Sequence, residues 1–458
     1  MSIPTLRPYQ ARAVGDLRDA YRQGSRAPLL VLPTGGGKTV VFSHVAHGAS
    51  ARGHHVLVLV HRRELIRQAS SKLGQLGVPH GVIAAGFPGT PQSVQVASVQ
   101  TLARRLGRME WAPDLIVIDE AHHAVAGTWS KVLEHWPAAL RLGVTATPVR
   151  QDGRGLSAMF DRLVQGPTVR DLTAQGFLSP ARIYAPPVKA DLTKLQKQAG
   201  DYQAAEASRR MDRPTVTGDA ISHYQRLCHG APAIAFCCTA QHAQHVSEQF
   251  RSSGIRSAVI LGTTPVEERE AMIRDLGTGA LQVLVSVDVV SEGTDVPSVT
   301  AAILLRPTMS EGLYLQQVGR CLRPAPGKAE ALILDHVGNV ITHGFPDDDR
   351  DWSLDGREEG TGRLDTEKAP IVRQCGVCFA AFPPQPVCPV CGTPSQLSVR
   401  EIQQREGELQ ELQREQLRRE QRRQVGSART LDELLAVARQ RGYHPNWARR
   451  LYAARHRA

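Results

Sequence analysis

The sequence predicts an α/β protein with two tandem parallel-sheet lobes, followed by a small four-cysteine module and a helical basic tail. Three observations predict it. Short apolar runs alternate with helical stretches twice over; three glycines and a Lys-Thr pair stand between the first such run and the helix after it; and four cysteines in two C-x2-C pairs come late in the chain. Unbroken apolar runs, in place of strict alternation, belong to strands covered on both faces of a parallel sheet.

The first lobe, 1–165, takes its strands from Leu29–Leu32, Val56–Val60, Val94–Ala97, Leu115–Ile118 and Leu140–Val144, most of which end beside a polar or glycine-containing loop. The rhythm weakens over 166–214, where the polar stretch Ala190–Arg213 reads as a helical or irregular connector. It resumes in a second lobe, 215–346, with strands at Ala233–Phe236, Ser257–Ile260, Leu281–Ser286, Thr300–Leu305 and Ala331–Leu334. Charge and glycine dominate 347–370, which reads as a linker before the cysteine module at 371–396. The tail, 397–458, opens on Glu401–Gln424, a solvated helix or short coiled coil laced by i,i+4 pairs.

At 458 residues the chain is long enough for two or three cores, and no apolar run reaches the roughly 18 residues of a membrane span. The start, MSIPTLRPYQARAV, lacks a basic-then-apolar signal pattern, so a cytoplasmic location is expected. Eight cysteines in so long a chain do not form a secreted disulfide framework. The net charge of +11 favours a polyanionic partner, nucleic acid being the commonest.

Leu32–Thr39 reads LPTGGGKT. Thr34, Gly35, Gly36 and Gly37 let the backbone wrap a phosphate with N–H groups aimed at it, and the helix N-terminus adds its dipole. Lys38 reaches the terminal phosphates of a nucleotide such as ATP, and the Thr39 hydroxyl suits Mg²⁺. Leu32 stands where the phosphate-loop pattern expects its first glycine. A second element, Leu115-Ile116-Val117-Ile118-Asp119-Glu120-Ala121-His122, delivers two carboxylates at the C-terminal end of a strand, where open α/β sheets bind ligands. Asp119 is placed to orient Mg²⁺ and Glu120 to polarise an attacking water.

At Asp119-Glu120-Ala121-His122 the chain resembles the superfamily 2 helicases and translocases, whose box has the same letters, and the other motifs follow in order from Leu6 to Pro324. The resemblance implies two RecA-like lobes with ATP hydrolysed between them. Leu6-Arg7-Pro8-Tyr9-Gln10 resembles the upstream adenine-recognition element, with Arg7 and Gln10 as base contacts. Val60–Leu65, with Arg62, and Ser98–Leu102, with Gln100 and Thr101, resemble the motifs that hold a strand's phosphates; helix capping is the competing reading of both. Gly143–Pro148 resembles the motif that links the ATP site to the strand. Gly293 and Asp295, in Ser291–Asp295, resemble a ribose or lobe-bridging element. Gln316–Arg323 resembles the Q-x-x-G-R-x-x-R motif, with Arg320 and Arg323, three apart on one helix face, as arginine fingers. Cys321 between them reads as packing.

Cys375, Cys378, Cys388 and Cys391 have the spacing of a tetrahedral zinc ribbon, Zn²⁺ being held by four thiolates; a redox or iron–sulfur site is the alternative. Over Arg400–Ala458 fourteen arginines face eight acidic residues, and Arg441–Arg450 mixes Tyr443 and Trp447 with arginines. That end reads either as a single-strand binder or as a helical cap with Trp447 buried. The order of parts resembles the bacterial RadD branch of superfamily 2. This implies an ATPase that works on DNA in repair or recombination, with single-strand-binding protein as a further partner. An RNA helicase and a motor subunit of a restriction complex stay open.

Overall fold

The structure, a computed structural model, describes residues 5–109, 111–124, 127–150, 155–185, 196–198, 201–212, 220–290, 298–355, 372–375, 377–378, 380–394, 430–431, 433–435 and 452. The chain divides into two compact units, Met1–Gly392 and Thr393–Ala458.

The first unit holds two sheets. Strands β1 (Pro28–Val31), β2 (Val56–Val60), β3 (His80–Ile83), β4 (Val94–Ser98), β5 (Leu115–Asp119), β6 (Leu140–Thr145) and β7 (Arg162–Gln165) lie in the order β3-β4-β2-β5-β6-β1-β7. Every pairing among them is parallel. The apolar runs explain the burial: Val56, Val58 and Val60 of β2 face one core while Leu57 and Leu59 face the other. This arrangement sets β5, β6 and β1 side by side, so Asp119, Thr145 and the glycine loop leave neighbouring strand ends. That crevice is where a doubly wound sheet binds ligands.

A small antiparallel pair, β9 (Lys197–Gln198) with β10 (Asp201–Tyr202), precedes most of the second sheet in the chain. That second sheet contains β8 (Ala181–Tyr184), β11 (Ala233–Phe236), β12 (Ser257–Ile260), β13 (Val283–Ser286), β14 (Ala301–Leu304), β15 (Ala331–Asp335), β16 (Arg373–Gln374) and β17 (Ala380–Phe382). Its order is β12-β13-β11-β14-β15-β8-β17-β16. The ten strands read from apolar runs are all present, with ends that differ by at most two residues.

Two differences have physical causes. Ala181–Tyr184 lies in the segment read as a connector, yet it pairs in parallel with β15 as a strand of the second sheet. Its run Ala-Arg-Ile-Tyr is too polar to signal a buried strand, and only Ile183 of the four is fully covered. The cysteine module, read as separate, extends the same sheet: β17 pairs antiparallel with β8, and Ala381 belongs to the second lobe's core.

The start of the segment read as a linker is also fastened down. Arg350 donates to Glu311 Oε1 at 2.6 Å and to the carbonyls of Asp348 and Phe345 at 2.8 and 2.9 Å. The Leu354 carbonyl accepts from Leu156 N and Ser157 N of the first lobe at 2.7 and 2.9 Å. Charge in this stretch therefore serves a clamp as well as solvation; residues 356–370 lie outside the described set.

Among the described residues, no helix is long and apolar enough to cross a membrane. In the second unit, Thr430 and Glu433 cap each other's backbone N–H groups at 3.2 and 3.0 Å, and Leu434 is buried. Glu401–Gln424 and Arg441–Arg450, Trp447 included, lie outside the described residues.

Candidate active site

The glycine loop adopts the shape its sequence requires. Gly35 and Gly37 have φ of 86° and 80°, in the left-handed region that a side chain disfavours, and Gly36 N closes a turn on the Pro33 carbonyl at 2.9 Å. Gly37 is the N-cap of the helix Lys38–Ser50, so Lys38 and Thr39 open that helix where its free N–H groups face outward. Leu32, the departure from the glycine pattern, is fully buried and donates its N–H to the Thr145 carbonyl at 3.0 Å. It keeps the strand ladder going for one more residue, a position a glycine would weaken.

Opposite the loop stand the two carboxylates. Asp119 and Glu120 are both buried, and Lys38 Nζ lies 3.9 Å from Glu120 Oε1. Glu120 has φ 49° and ψ 55°, a left-handed conformation that costs a non-glycine residue about 1–2 kcal/mol and concentrates at functional sites. This turn swings its carboxylate back toward Lys38. Glu120 Oε2 is buried with no hydrogen bond, His122 Nδ1 standing 3.6 Å away. A buried acceptor left over in this way suits a water or ligand group.

His122 joins three motifs. Its Nδ1 meets Thr145 Oγ1 at 3.0 Å, and its Nε2 meets Gln316 Nε2 of the second lobe at 3.3 Å. Its ring also lies 4.1 Å from that of His123, which lies 4.4 Å from His61. Gln100 Nε2 donates to the His61 carbonyl at 3.4 Å. A row of contacts, entered through the His61 backbone carbonyl, therefore runs from Gln100 to Glu120. His61 lies in the Val60–Leu65 motif but with no role read for its ring, and His123 is not legible as a site residue, because a ring contact leaves no spacing pattern.

The second lobe reaches the loop through the helix Glu311–Gly319 and the turn after it. A Cβ built on Gly319 would fall 2.4 Å from Thr34 Cβ, and one on Gly312 would fall 2.9 Å from Thr147 Oγ1. Two glycines seven apart share a helix face, and here that face lets backbone touch the first lobe. Arg323 lies against the glycine loop: its Cγ and Nε would be 3.4 and 3.9 Å from a Cβ on Gly35. The two arginines do not share a helix face as the spacing predicts: the helix ends at Gly319, Arg320 is its buried C-cap, and Arg323 stands in the irregular chain beyond it, with Cys321 between them packed in the second lobe's core. Arg62 Nη1 crosses to the Asp288 carbonyl at 2.8 Å, and Arg67 pairs with Glu270. Gly293 and Asp295 lie outside the described residues.

The upstream element supports the loop from below. Gln10 Nε2 and the Tyr9 hydroxyl donate to the Gly36 carbonyl at 3.4 and 3.0 Å, while Arg7 N donates to Gln10 Oε1 at 3.0 Å. The Arg7 guanidinium sits 4.8 Å above the Phe177 ring. Phe177 is thus a site neighbour that sequence reading missed, since it arrives from the segment between the lobes. Around Thr101 the capping reading has structural support: Ser98 caps the helix Val99–Arg105 by accepting from Thr101 N at 3.5 Å.

The four cysteine sulfurs lie within 4.8 Å of one another, with Cys375–Cys391 and Cys378–Cys388 each 3.5 Å apart. A disulfide brings sulfurs to about 2.05 Å, whereas a tetrahedron with Zn–S near 2.3 Å separates them by about 3.8 Å. Val377 N and Cys378 N point at Cys375 Sγ from 3.4 and 3.5 Å. Burial opposes a thiolate throughout the cluster: these N–H groups outweigh it at Cys375, whose pKa falls, whereas at Cys378 burial pushes the thiol up to about 12. The donor set therefore fits a thiolate-bound metal. Cys228, Cys237 and Cys238 are buried in the second lobe, where burial pushes all three thiols up.

Two parallel-sheet lobes, facing each other across a phosphate loop and a pair of carboxylates, define a two-lobed nucleotide-cleft protein. Residues 3–150 match the family model described as "Type III restriction enzyme, res subunit", and residues 219–325 match "Helicase conserved C-terminal domain". A "51.5 kDa protein" of Lactococcus phage (isolate 7-9) is 35% identical over 79% of this chain and 76% of its own length. The "Putative ATP-dependent helicase IRC3" of Saccharomyces cerevisiae is 31% identical over 74% of this chain, which spans only 52% of that relative. A solved fragment of "a putative HsdR subunit of a type I restriction enzyme from Vibrio vulnificus YJ016" superposes over 74% of this chain and 66% of its own, with TM-score 0.58 at 22% identity. The chain belongs to the superfamily 2 helicase family.

Proposed function

We propose that the chain is a nucleic-acid-dependent ATPase with a DEAH-type box, working as a DNA helicase or translocase in repair or recombination, in the manner of the RadD branch. The observation that carries this reading is the seat of Arg323 against Gly35, which brings a guanidinium of one lobe to the phosphate loop of the other. Lys38 and the loop N–H groups, from Thr34 to Thr39, grip the phosphates. Thr39 and Asp119 hold Mg²⁺, and Glu120 activates water. Arg320 and Arg323 neutralise the transferring phosphoryl group. Arg7 and Gln10 take the adenine side, with Gly293 and Asp295 toward the ribose. ATP favours the closed lobes and its hydrolysis releases them, so the cycle becomes motion of one lobe against the other.

Arg62, Gln100 and Thr101 are the candidates for the strand's phosphates. The row of contacts from Gln100 through His61, His123 and His122 supports a link between that strand and Glu120. The four cysteines hold Zn²⁺ as a structural group, and single-strand-binding protein is a further partner in a cytoplasmic setting. The match to a restriction-enzyme family model supports DNA over RNA as the substrate.

One assay tests the reading: ATPase rate with single-stranded, duplex and forked DNA and with RNA in one buffer. Stimulation by DNA is expected, and stimulation by RNA alone would move the assignment to an RNA remodeller. In the same assay Glu120→Gln and Lys38→Ala should abolish turnover. Arg323→Ala should slow it by at least about 10²-fold, given that such arginines are worth roughly 10³–10⁵. An Arg323→Ala protein turning over at the parental rate would remove the two-lobe site.

A further inference from the structure

We propose that Lys328 is a positioning residue for the arginine pair, its ammonium holding the turn that presents Arg323 to the glycine loop. The proposal rests on the reading of Arg323 just given and adds the group that fixes its backbone.

After the helix Glu311–Gly319 ends, the chain runs through Cys321, Leu322 and Arg323 without regular structure. Carbonyls past a helix end have no partner within the helix and need donors from elsewhere. All three find one. Lys328 Nζ donates to the Arg323 carbonyl at 2.7 Å and to the Cys321 carbonyl, and Ser179 N donates to the Leu322 carbonyl between them at 2.7 Å. The third proton of Lys328 goes to the Val299 carbonyl at 2.7 Å, on the chain entering β14. An ammonium carries three donors and no acceptor, so this one is fully used.

The arrangement has directional consequences. Ser179 follows Leu178, whose Cδ2 would lie 2.9 Å from a Cβ on Gly35, so the same turn is tied to a side chain that touches the loop. With its carbonyls fixed on both flanks, the Arg323 Cα cannot rotate freely, and the guanidinium starts from a set point beside Gly35. A guanidinium that acts only in the transition state is worth most when it needs no reorganisation to arrive. Burial, aided by the Arg323 charge, draws the Lys328 pKa down to about 8, and the upward pull from Cys321 does not offset it. The group is therefore still mostly protonated at neutral pH and able to make all three bonds.

The test uses the full chain and four variants: Lys328→Met, Lys328→Arg, Arg323→Ala and the Lys328→Met/Arg323→Ala pair. ATPase is measured with and without single-stranded DNA, ATP affinity by a fluorescent analogue, and folding by thermal melt. Lys328→Met is expected to lower kcat about tenfold or more at nearly unchanged KM, while Lys328→Arg recovers most of the loss. On the Arg323→Ala background, Lys328→Met should cost less than about twofold, because a residue acting through Arg323 has nothing left to position. Equal losses on both backgrounds, parental kcat in Lys328→Met, or a lower Tm with unchanged rate per folded molecule would each overturn the proposal. If Lys328→Met does not fold, Lys328→Gln, which keeps a single amide donor group, is read by the same criteria. A slow Arg323→Ala with a parental Lys328→Met removes only this proposal. A parental Arg323→Ala removes the two-lobe reading and this one together.

Discussion

Gly319 concentrates the geometry of the cleft into one missing methyl group. A Cβ there would meet Thr34 Cβ at 2.4 Å, closer than real Cβ atoms approach, and neither partner is the far end of a flexible side chain. Gly319→Ala should therefore leave the lobes folded but hold them apart, lowering kcat by about tenfold or more, roughly 1.4 kcal/mol of barrier. Far-ultraviolet circular dichroism and ATPase rates check it; a variant with parental turnover would mean that the lobes need not touch here. Other residues act by conformation. Glu120 takes the left-handed turn that brings its carboxylate to 3.9 Å from Lys38, where an extended residue at the strand's end would point it away. Two local motifs mark Lys38 and the Asp119-Glu120 pair, each by the residues beside it in the chain. No spacing marks Lys328, His123 or Phe177, whose partners lie on other segments.

At the level of elements, the second sheet is the instructive one. Its central strands β11, β13 and β14 are fully buried and almost wholly apolar, Ser286 at the end of β13 excepted, and could be read directly. Its far edge is made of β8, β17 and β16, which are short and mixed in character; β8 pairs with β15 of the lobe, and β17 and β16 join it where the cysteine module folds back. Phe382 and Cys388 are buried together there, with Tyr184 packed against them. A bound metal would hold the β16–β17 hairpin closed, and the hairpin in turn covers the β8 edge, an unpaired edge being a liability. Fresh protein is expected to release about one zinc per chain on treatment with a thiol-reactive mercurial. Hydrogen exchange at Ala181–Tyr184 should rise with that release. Metal analysis finding no zinc, or exchange at β8 that ignores its removal, would separate the module from the sheet.

For the whole molecule, charge is distributed to one end. The tail after Arg400 supplies six of the eleven net positive charges. Removing 397–458 should weaken binding to single-stranded DNA and flatten its dependence on salt, since every phosphate that is no longer neutralised takes about 0.7 from the slope on a single strand. A truncated chain with the parental slope would point to a helical cap. At this scale two parallel sheets, the places of their central strands, and the nearness of the glycine loop to the two carboxylates are all legible in the order of residues. These follow from local facts: apolar runs that must be buried on both faces, and phosphate chemistry that demands particular residues in a row. Three features emerge from the folded chain alone: the cysteine strands extend the second sheet, Arg350 and Leu354 clamp the start of the linker, and Gly312 and Gly319 pave the contact between lobes. Such contacts join segments distant in the chain and depend on where backbones come to rest, a quantity that no residue carries in its own neighbourhood.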